Sequence, residues 1–106
     1  MMATFSLTEK AKSDLKDIAR FTQKRWGRDQ RNKYLKDLDA CFFRLADNPS
    51  MGRECSEVRT GYHKFPTGSH VICFRSIAKS QVEIVRILLE SMDVEIQFTS
   101  NQEESH

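Results

Sequence analysis

Residues 8–49 read TEKAKSDLKDIARFTQKRWGRDQRNKYLKDLDACFFRLADNP, and the fold class follows from this stretch. Thr8 offers a hydroxyl as helix N-cap. Ala11, Leu15, Ile18, Ala19, Thr22 and Trp26 then recur at the three-and-four spacing of a helix with one buried face. Gly27 is placed to take the left-handed backbone conformation that ends a helix. A second helix runs from Arg28 to Ala46, with Tyr34, Leu35, Leu38, Cys41, Phe42 and Leu45 on one face, and Asn48-Pro49 stops it. Two amphipathic helices joined around one glycine must lie antiparallel, and their shared apolar face needs a cover.

Strands supply that cover. Residues 3–7 alternate as a short strand, residues 47–56 carry the Pro and Gly punctuation of a loop, and strand-like runs follow near 57–65, 70–76 and 82–89. Thr67-Gly68 and Ala78-Lys79-Ser80 are short enough to join these runs as antiparallel hairpins. The expected fold is α+β, in the order β-α-α-β-β-β, with a helix hairpin on a mainly antiparallel sheet. In residues 90–98, Met92, Val94, Ile96 and Phe98 mix helical and strand spacing, so a short C-terminal helix and a strand both remain open. Residues 1–98 are read as a single domain and residues 99–106 as a polar tail.

The chain has 106 residues, 39% of them hydrophobic and 30% charged, enough for one modest core. Its net charge of +2 hides an asymmetry: residues 1–52 carry 11 basic and 7 acidic side chains, residues 87–106 none and 5. A basic body suits an anionic partner, nucleic acid or an acidic protein segment, and is equally the ordinary solvated face of amphipathic helices. No apolar run approaches the ~20 residues of a membrane span, and the N-terminus is unlike a secretory signal. A soluble, unexported, cytoplasmic protein with no membrane association is expected. Cys41, Cys55 and Cys73 form neither a disulfide framework nor a zinc pattern, and Cys41 and Cys73 are placed as small core side chains. His63, His70 and His106 lack metal-ligand spacing, so no metal site and no cofactor are expected.

Arg75 and Arg86 interrupt otherwise apolar strands, where a guanidinium must find a partner or face solvent. One reading puts them with Arg59 and Lys64 on a basic sheet surface suited to phosphate or carboxylate; the other pairs them with Glu57 or Glu83 across strands. Tyr62 or His63 could supply the acid or base of phosphodiester cleavage beside those cations, but the sequence carries no Gly-rich phosphate loop and no Ser-His-Asp order. Trp26 reads as a core or hairpin-corner residue shielding the helix turn, whereas Phe21 and Phe43 fall off the main stripes, partly exposed where a partner could lie.

A spread of short elements carries a family resemblance: Asp14-Leu15-x-x-Ile18, Phe21-Thr22-Gln23, Arg25-Trp26-Gly27, Gln30 and Tyr34-Leu35 in the helices. Leu45-Ala46-x-Asn48-Pro49-x-x-Gly52-Arg53, Arg59-x-Gly61-Tyr62-x-Lys64-Phe65, Gly68-Ser69-His70-Val71-Ile72 and Val85-Arg86-Ile87-Leu88-x-x-x-Met92-Asp93 follow. Over roughly residues 4–94 the chain resembles ParE toxins of the RelE/ParE superfamily, the toxic half of type II toxin-antitoxin pairs that serve plasmid stabilisation. The resemblance implies a toxin that inhibits DNA gyrase by binding, without catalysis. It also implies a ParD-like antitoxin that wraps the toxin, with DNA met only indirectly through the antitoxin complex. Candidate target contacts are then Arg59, Lys64, Arg75, Arg86, Met92 and Asp93, and candidate antitoxin contacts Phe21, Trp26 and Phe43. The ribonuclease branch, RelE-like, cuts mRNA on the ribosome with basic strand residues and a C-terminal Tyr or His. Many ParE relatives carry a His after Ile-Leu; here Leu89 follows Ile87-Leu88, which weighs against that alternative.

Overall fold

A computed structural model gives the architecture, and it describes residues 3–55 and 61–89. In chain order the elements are β1 (Thr4–Leu7), α1 (Glu9–Trp26), α2 (Arg28–Asp47), a 3-10 turn (Pro49–Met51), β2 (Arg53–Glu54), β3 (Tyr62–Thr67), β4 (His70–Ala78) and β5 (Gln81–Leu89). The α+β class and the helix hairpin on a mostly antiparallel sheet are as the sequence predicts. One element is new: β2 lies inside the span read as loop, and two residues are too few for an alternation pattern to register. The question of a helix or strand at residues 90–98, the polar tail, and the Arg59, Met92 and Asp93 positions lie outside the described residues.

The sheet order is β1-β5-β4-β3-β2. The β2–β3, β3–β4 and β4–β5 pairs are antiparallel, and β1 joins β5 in parallel. Ile72, Phe74, Val82, Ile84 and Ile87 face the helices and close a core with Ala11, Ile18, Leu38, Cys41, Phe42 and Leu45. Gly27 lies between the helices at a φ of 96°, a conformation costly for a residue with a side chain, and its N–H reaches the Gln23 carbonyl. The turn therefore needs glycine and allows no linker.

Because β1 is only four residues long, it covers β5 as far as Ile84, and beyond that point the outer edge of β5 would offer bare backbone groups. Residues at the start of α1 take them up. The Thr8 N–H donates to the Ile84 carbonyl (3.1 Å), and its hydroxyl donates to the Val85 carbonyl (2.8 Å) while accepting from the Ala11 N–H (3.0 Å). Asp14 Oδ2 accepts from the Ile87 N–H (2.9 Å) and Arg86 Nε (2.9 Å), and Oδ1 accepts from Arg86 Nη2 (3.2 Å). Thr8 thus serves as the N-cap the sequence predicts and as a clamp on the sheet. The Asp14–Arg86 pair is largely buried, its side chains 14% and 16% exposed.

A second tie joins α2 to the β3–β4 turn. The Tyr34 hydroxyl, which the Ser69 backbone amide hydrogen-bonds, lies 2.6 Å from His70 Nδ1. Gly68 at the turn has φ 58°, and a Cβ there would come within 2.9 Å of the Tyr34 oxygen, so a side chain would break this approach. Burial pushes the His70 imidazole below its ordinary 6.5, with Asp14 opposing, and pushes the Tyr34 hydroxyl up. The shift favours the neutral ring, whose Nδ1 shares a hydrogen bond with the Tyr34 hydroxyl.

Two outcomes follow. Asp14→Ala strands a buried guanidinium and a backbone N–H, and should cost about 3–5 kcal/mol of unfolding free energy in urea, whereas Asp14→Asn, which keeps an acceptor, should cost less. The His70 shift fixes the sign of a pH effect. Above 6.5 the imidazole is neutral in folded and unfolded chains alike; below it the unfolded chain takes up a proton that the folded chain resists, so stability falls as pH drops. Urea titrations at pH 7.5 and pH 5 should show this loss, and His70→Asn should shrink it.

Candidate functional site

Strand register distributes the chemically able side chains between two faces. Arg53, Lys64, Cys73 and Arg86 are successive register partners across β2, β3, β4 and β5, and Tyr62, Arg75 and Glu83 form the adjacent row. Partners in a row share a face, and this one lies away from the helices. His63 belongs to the other face: it pairs with Phe74 and stacks on that ring (5.6 Å between centroids, 25° between planes). Its Nδ1 is buried without a hydrogen-bond partner among the described residues. The sequence could not choose between Tyr62 and His63 because strand neighbours always diverge, and only register says which one accompanies the cations.

The structure brings Lys64 and Arg75 together on the outer face, and separates Arg86 from them by use. Arg75 Nε donates to Glu83 Oε1 at 2.8 Å, the cross-strand alternative of the sequence reading. Arg86 follows neither alternative. Its guanidinium is not spread on a basic surface, nor paired with Glu57 or Glu83, but gripped by Asp14 of α1. The reason is the short β1, which leaves the β5 edge to the helix. A β-bulge at Val85 accompanies this, since Cys73 faces Arg86 while Phe74 faces Ile84.

Cys41 and Cys73 are free thiols, and all three cysteines are buried. Burial pushes the Cys73 thiol up to about 12, so it stays protonated and packs with Val71 and Leu88 as an apolar side chain. No group of three or more His, Cys, Asp or Glu among the described residues could hold a metal, and no helix among them is long and apolar enough to cross a membrane.

The second candidate surface is a groove beside α1. Two adjoining cavities, about 310 and 440 Å³, share Phe21, His70 and Leu89 in their walls; Ile18, Asp17 and Arg86 extend the first, Trp26, Gln30 and Tyr34 the second. Phe21 is 59% exposed and Trp26 64%. Trp26 takes the hairpin-corner position rather than a core one, and is exposed there: it is the last residue of α1, where Gly27 reverses the chain, and Arg25 lies over its ring at 5.5 Å. Phe43, 45% exposed, belongs elsewhere, edge-on to the Phe5 ring of β1 at 4.8 Å. So two of the three aromatic candidates meet in one groove and the third does not. Sequence reasoning missed His70 and Tyr34 as its floor. A buried polar pair leaves no trace in apolar periodicity beyond the position of Tyr34 on the helix stripe.

Comparison with known proteins fits this geometry. The family model described as "ParE toxin of type II toxin-antitoxin system, parDE" matches residues 5–94. Toxin ParE1 of Mycobacterium tuberculosis is 38% identical over 95 residues, covering 90% of this chain and 97% of that protein. Toxin ParE1 of Caulobacter vibrioides is 37% identical over 92 residues, covering 87% and 94%. Among solved structures, a chain from the chromosomal ParDE toxin-antitoxin system of P. aeruginosa superposes with a TM-score of 0.67 at 21% identity, covering 83% of this chain and 96% of that one. A chain of the RelBE2 toxin-antitoxin complex from M. tuberculosis gives 0.62 at 16% identity, covering 85% and 100%. With the family match over nearly all of the described residues and the shared arrangement of two helices on a five-stranded sheet, the chain belongs to the ParE toxin family of the RelE/ParE superfamily.

Proposed function

We propose that this ParE-type toxin acts in the cytoplasm by binding DNA gyrase and blocking it, and that a ParD-like antitoxin neutralises it. Family membership supports the toxin role. The observation that favours binding over catalysis is the split across the sheet: Tyr62, Lys64 and Arg75 share a face, while His63 turns to the helix side. Among the described residues no imidazole accompanies the cations, so the acid and base needed for phosphodiester cleavage are not paired there. Lys64 and Arg75 are the target contacts carried forward, with Arg59, Met92 and Asp93 as further proposals. Arg86 contributes by holding β5 in place.

For the antitoxin we assign the groove of Phe21 and Trp26 as the main docking site, since it gathers exposed apolar area around a concave floor. Phe43 offers a separate contact beside β1. Similarity to chains described as parts of toxin-antitoxin complexes supports such a partner.

A RelE-like ribonuclease is the second reading, kept because Tyr62 shares the cationic face with Lys64 and Arg75. Purified protein in a supercoiling assay separates the two. Loss of gyrase supercoiling at stoichiometric toxin supports the proposal; unaffected gyrase with specific transcript cleavage on ribosomes would replace it with the second reading. Growth arrest on expression without antitoxin is expected, and undisturbed growth would mark a toxin whose activity has decayed. Trp26→Asp combined with Phe21→Ser should weaken capture of the antitoxin encoded beside the toxin by at least tenfold while leaving the fold intact, as read by co-purification and circular dichroism.

A further inference from the structure

The outermost strand β1 keeps one edge toward β5 and turns the other outward. The Thr4 N–H donates to the Ser80 carbonyl (2.9 Å) and the Thr8 N–H to the Ile84 carbonyl (3.1 Å), so the even-numbered residues face β5. Successive residues of a strand direct their N–H and C=O groups to opposite edges, which leaves those of Phe5 and Leu7 on the outward edge. Natural edge strands are blunted by charge, proline or a bulge. Here β1 reads Thr-Phe-Ser-Leu, pairs with β5 in an unbroken register and has none of these devices. Its flank is apolar: Phe43, 45% exposed, stands edge-on to Phe5, and a groove of about 530 Å³ lies between β1 and the helices beside Leu7, Leu15 and Leu35. Exposed charges of both signs, Lys16, Lys36 and Asp39, line that groove, and no ion pair among the described residues engages them.

We infer that this edge is a self-association site, at which a second copy of the chain pairs its own β1 antiparallel across a two-fold axis at Ser6. The pleat restricts the register, since paired residues share a face and Phe5 and Leu7 both face the helices. Setting Phe5 against Leu7 of the second copy, and the reverse, is the two-fold register that uses all the outward groups of both strands. Each of these is then a hydrogen-bonded pair, and Ser6 lies directly opposite Ser6 with no bond between them. An axis normal to the sheet keeps both helix hairpins on one side, so the two Phe43–Phe5 clusters meet near it. Groove charges of both signs suit a copy that carries the same set, whereas an acidic segment would match the lysines and be repelled by Asp39. Phe43, proposed above as an antitoxin contact, is covered in this pair, so the second copy and the antitoxin exclude one another there. The pairing itself rests on neither the gyrase nor the antitoxin reading.

A four-residue edge with one helix flank is smaller than a standard interface of about 800 Å² per partner, which sets an expected dissociation constant on the order of 100 µM. Sedimentation velocity of the purified chain between about 5 and 500 µM should show monomer passing to dimer, with the Phe5 and Leu7 amides gaining exchange protection over the same range. Ser6→Lys sets two like charges about 5 Å apart and should raise the dissociation constant at least tenfold, as should Ser6→Glu. Mixing these two variants should restore the dimer, as pairing of residue 6 with itself requires. Asn32→Lys makes the same charge change at an exposed position near the start of α2 and should leave association at the wild-type level. Circular dichroism checks that each variant is folded, and Phe43→Ser, expected to weaken the dimer at least threefold, serves if the Ser6 variants are not. The inference is overturned by a monomer at every concentration, by Ser6→Lys and Asn32→Lys behaving alike, by no dimer from the mixture, or by association that leaves the Phe5 and Leu7 amides unprotected. A chain that stays monomeric and has those amides protected only by the antitoxin overturns it in favour of an antitoxin strand.

Discussion

A strand that outruns its neighbour leaves backbone groups that something must satisfy, and β5 outruns β1 by half its length. The carboxylate of Asp14 answers this by accepting at once from the Ile87 N–H and from two nitrogens of Arg86. Three acceptances on one buried carboxylate offset the cost of removing it from water, which an ion pair alone does not ensure. Thr8 completes the seam with two more hydrogen bonds to β5, while its hydroxyl also caps α1. The first helix is thus set against the sheet edge by hydrogen bonds of defined direction, and the apolar stripe fills the space those bonds fix.

This seam also decides what each surface can do. Arg86 of β5 is held by Asp14 and belongs to the scaffold, so the target surface proposed above relies on Lys64 of β3 and Arg75 of the central β4. Because α1 lies along β5, its last two turns and the end of that strand bound the groove in which Phe21, Trp26 and Leu89 stand exposed. His70, whose imidazole burial pushes below its ordinary range, is hydrogen-bonded to Tyr34 and lines both cavities.

Much of this was legible in the sequence. The helix hairpin followed from the spacing of Ala11 to Trp26 and from Gly27, and Thr8 was readable as a cap, because helical periodicity and capping are local signals. The burial of Cys41 and Cys73 followed equally from position. Contacts between elements distant in the chain were not legible. Arg86 and Asp14 stand 72 residues apart, and nothing in a strand's alternation tells which helix residue its edge will meet. Tyr34 and His70 meet across 36 residues in the same way. Whether Trp26 stands in the core or at the hairpin corner was open, because a stripe shows which side a residue faces, not where the sheet beneath it ends.

The central claim, that Asp14 closes the exposed edge of β5, is tested most directly by amide hydrogen exchange at Ile87. The predicted result is slow exchange in the wild-type protein, comparable with the strand-paired amides of β5, and a selective loss of that protection in Asp14→Ala under conditions where Val82 and Ile84 remain protected. Rapid exchange of the Ile87 amide in the wild-type protein, or protection that survives removal of the carboxylate, would contradict it.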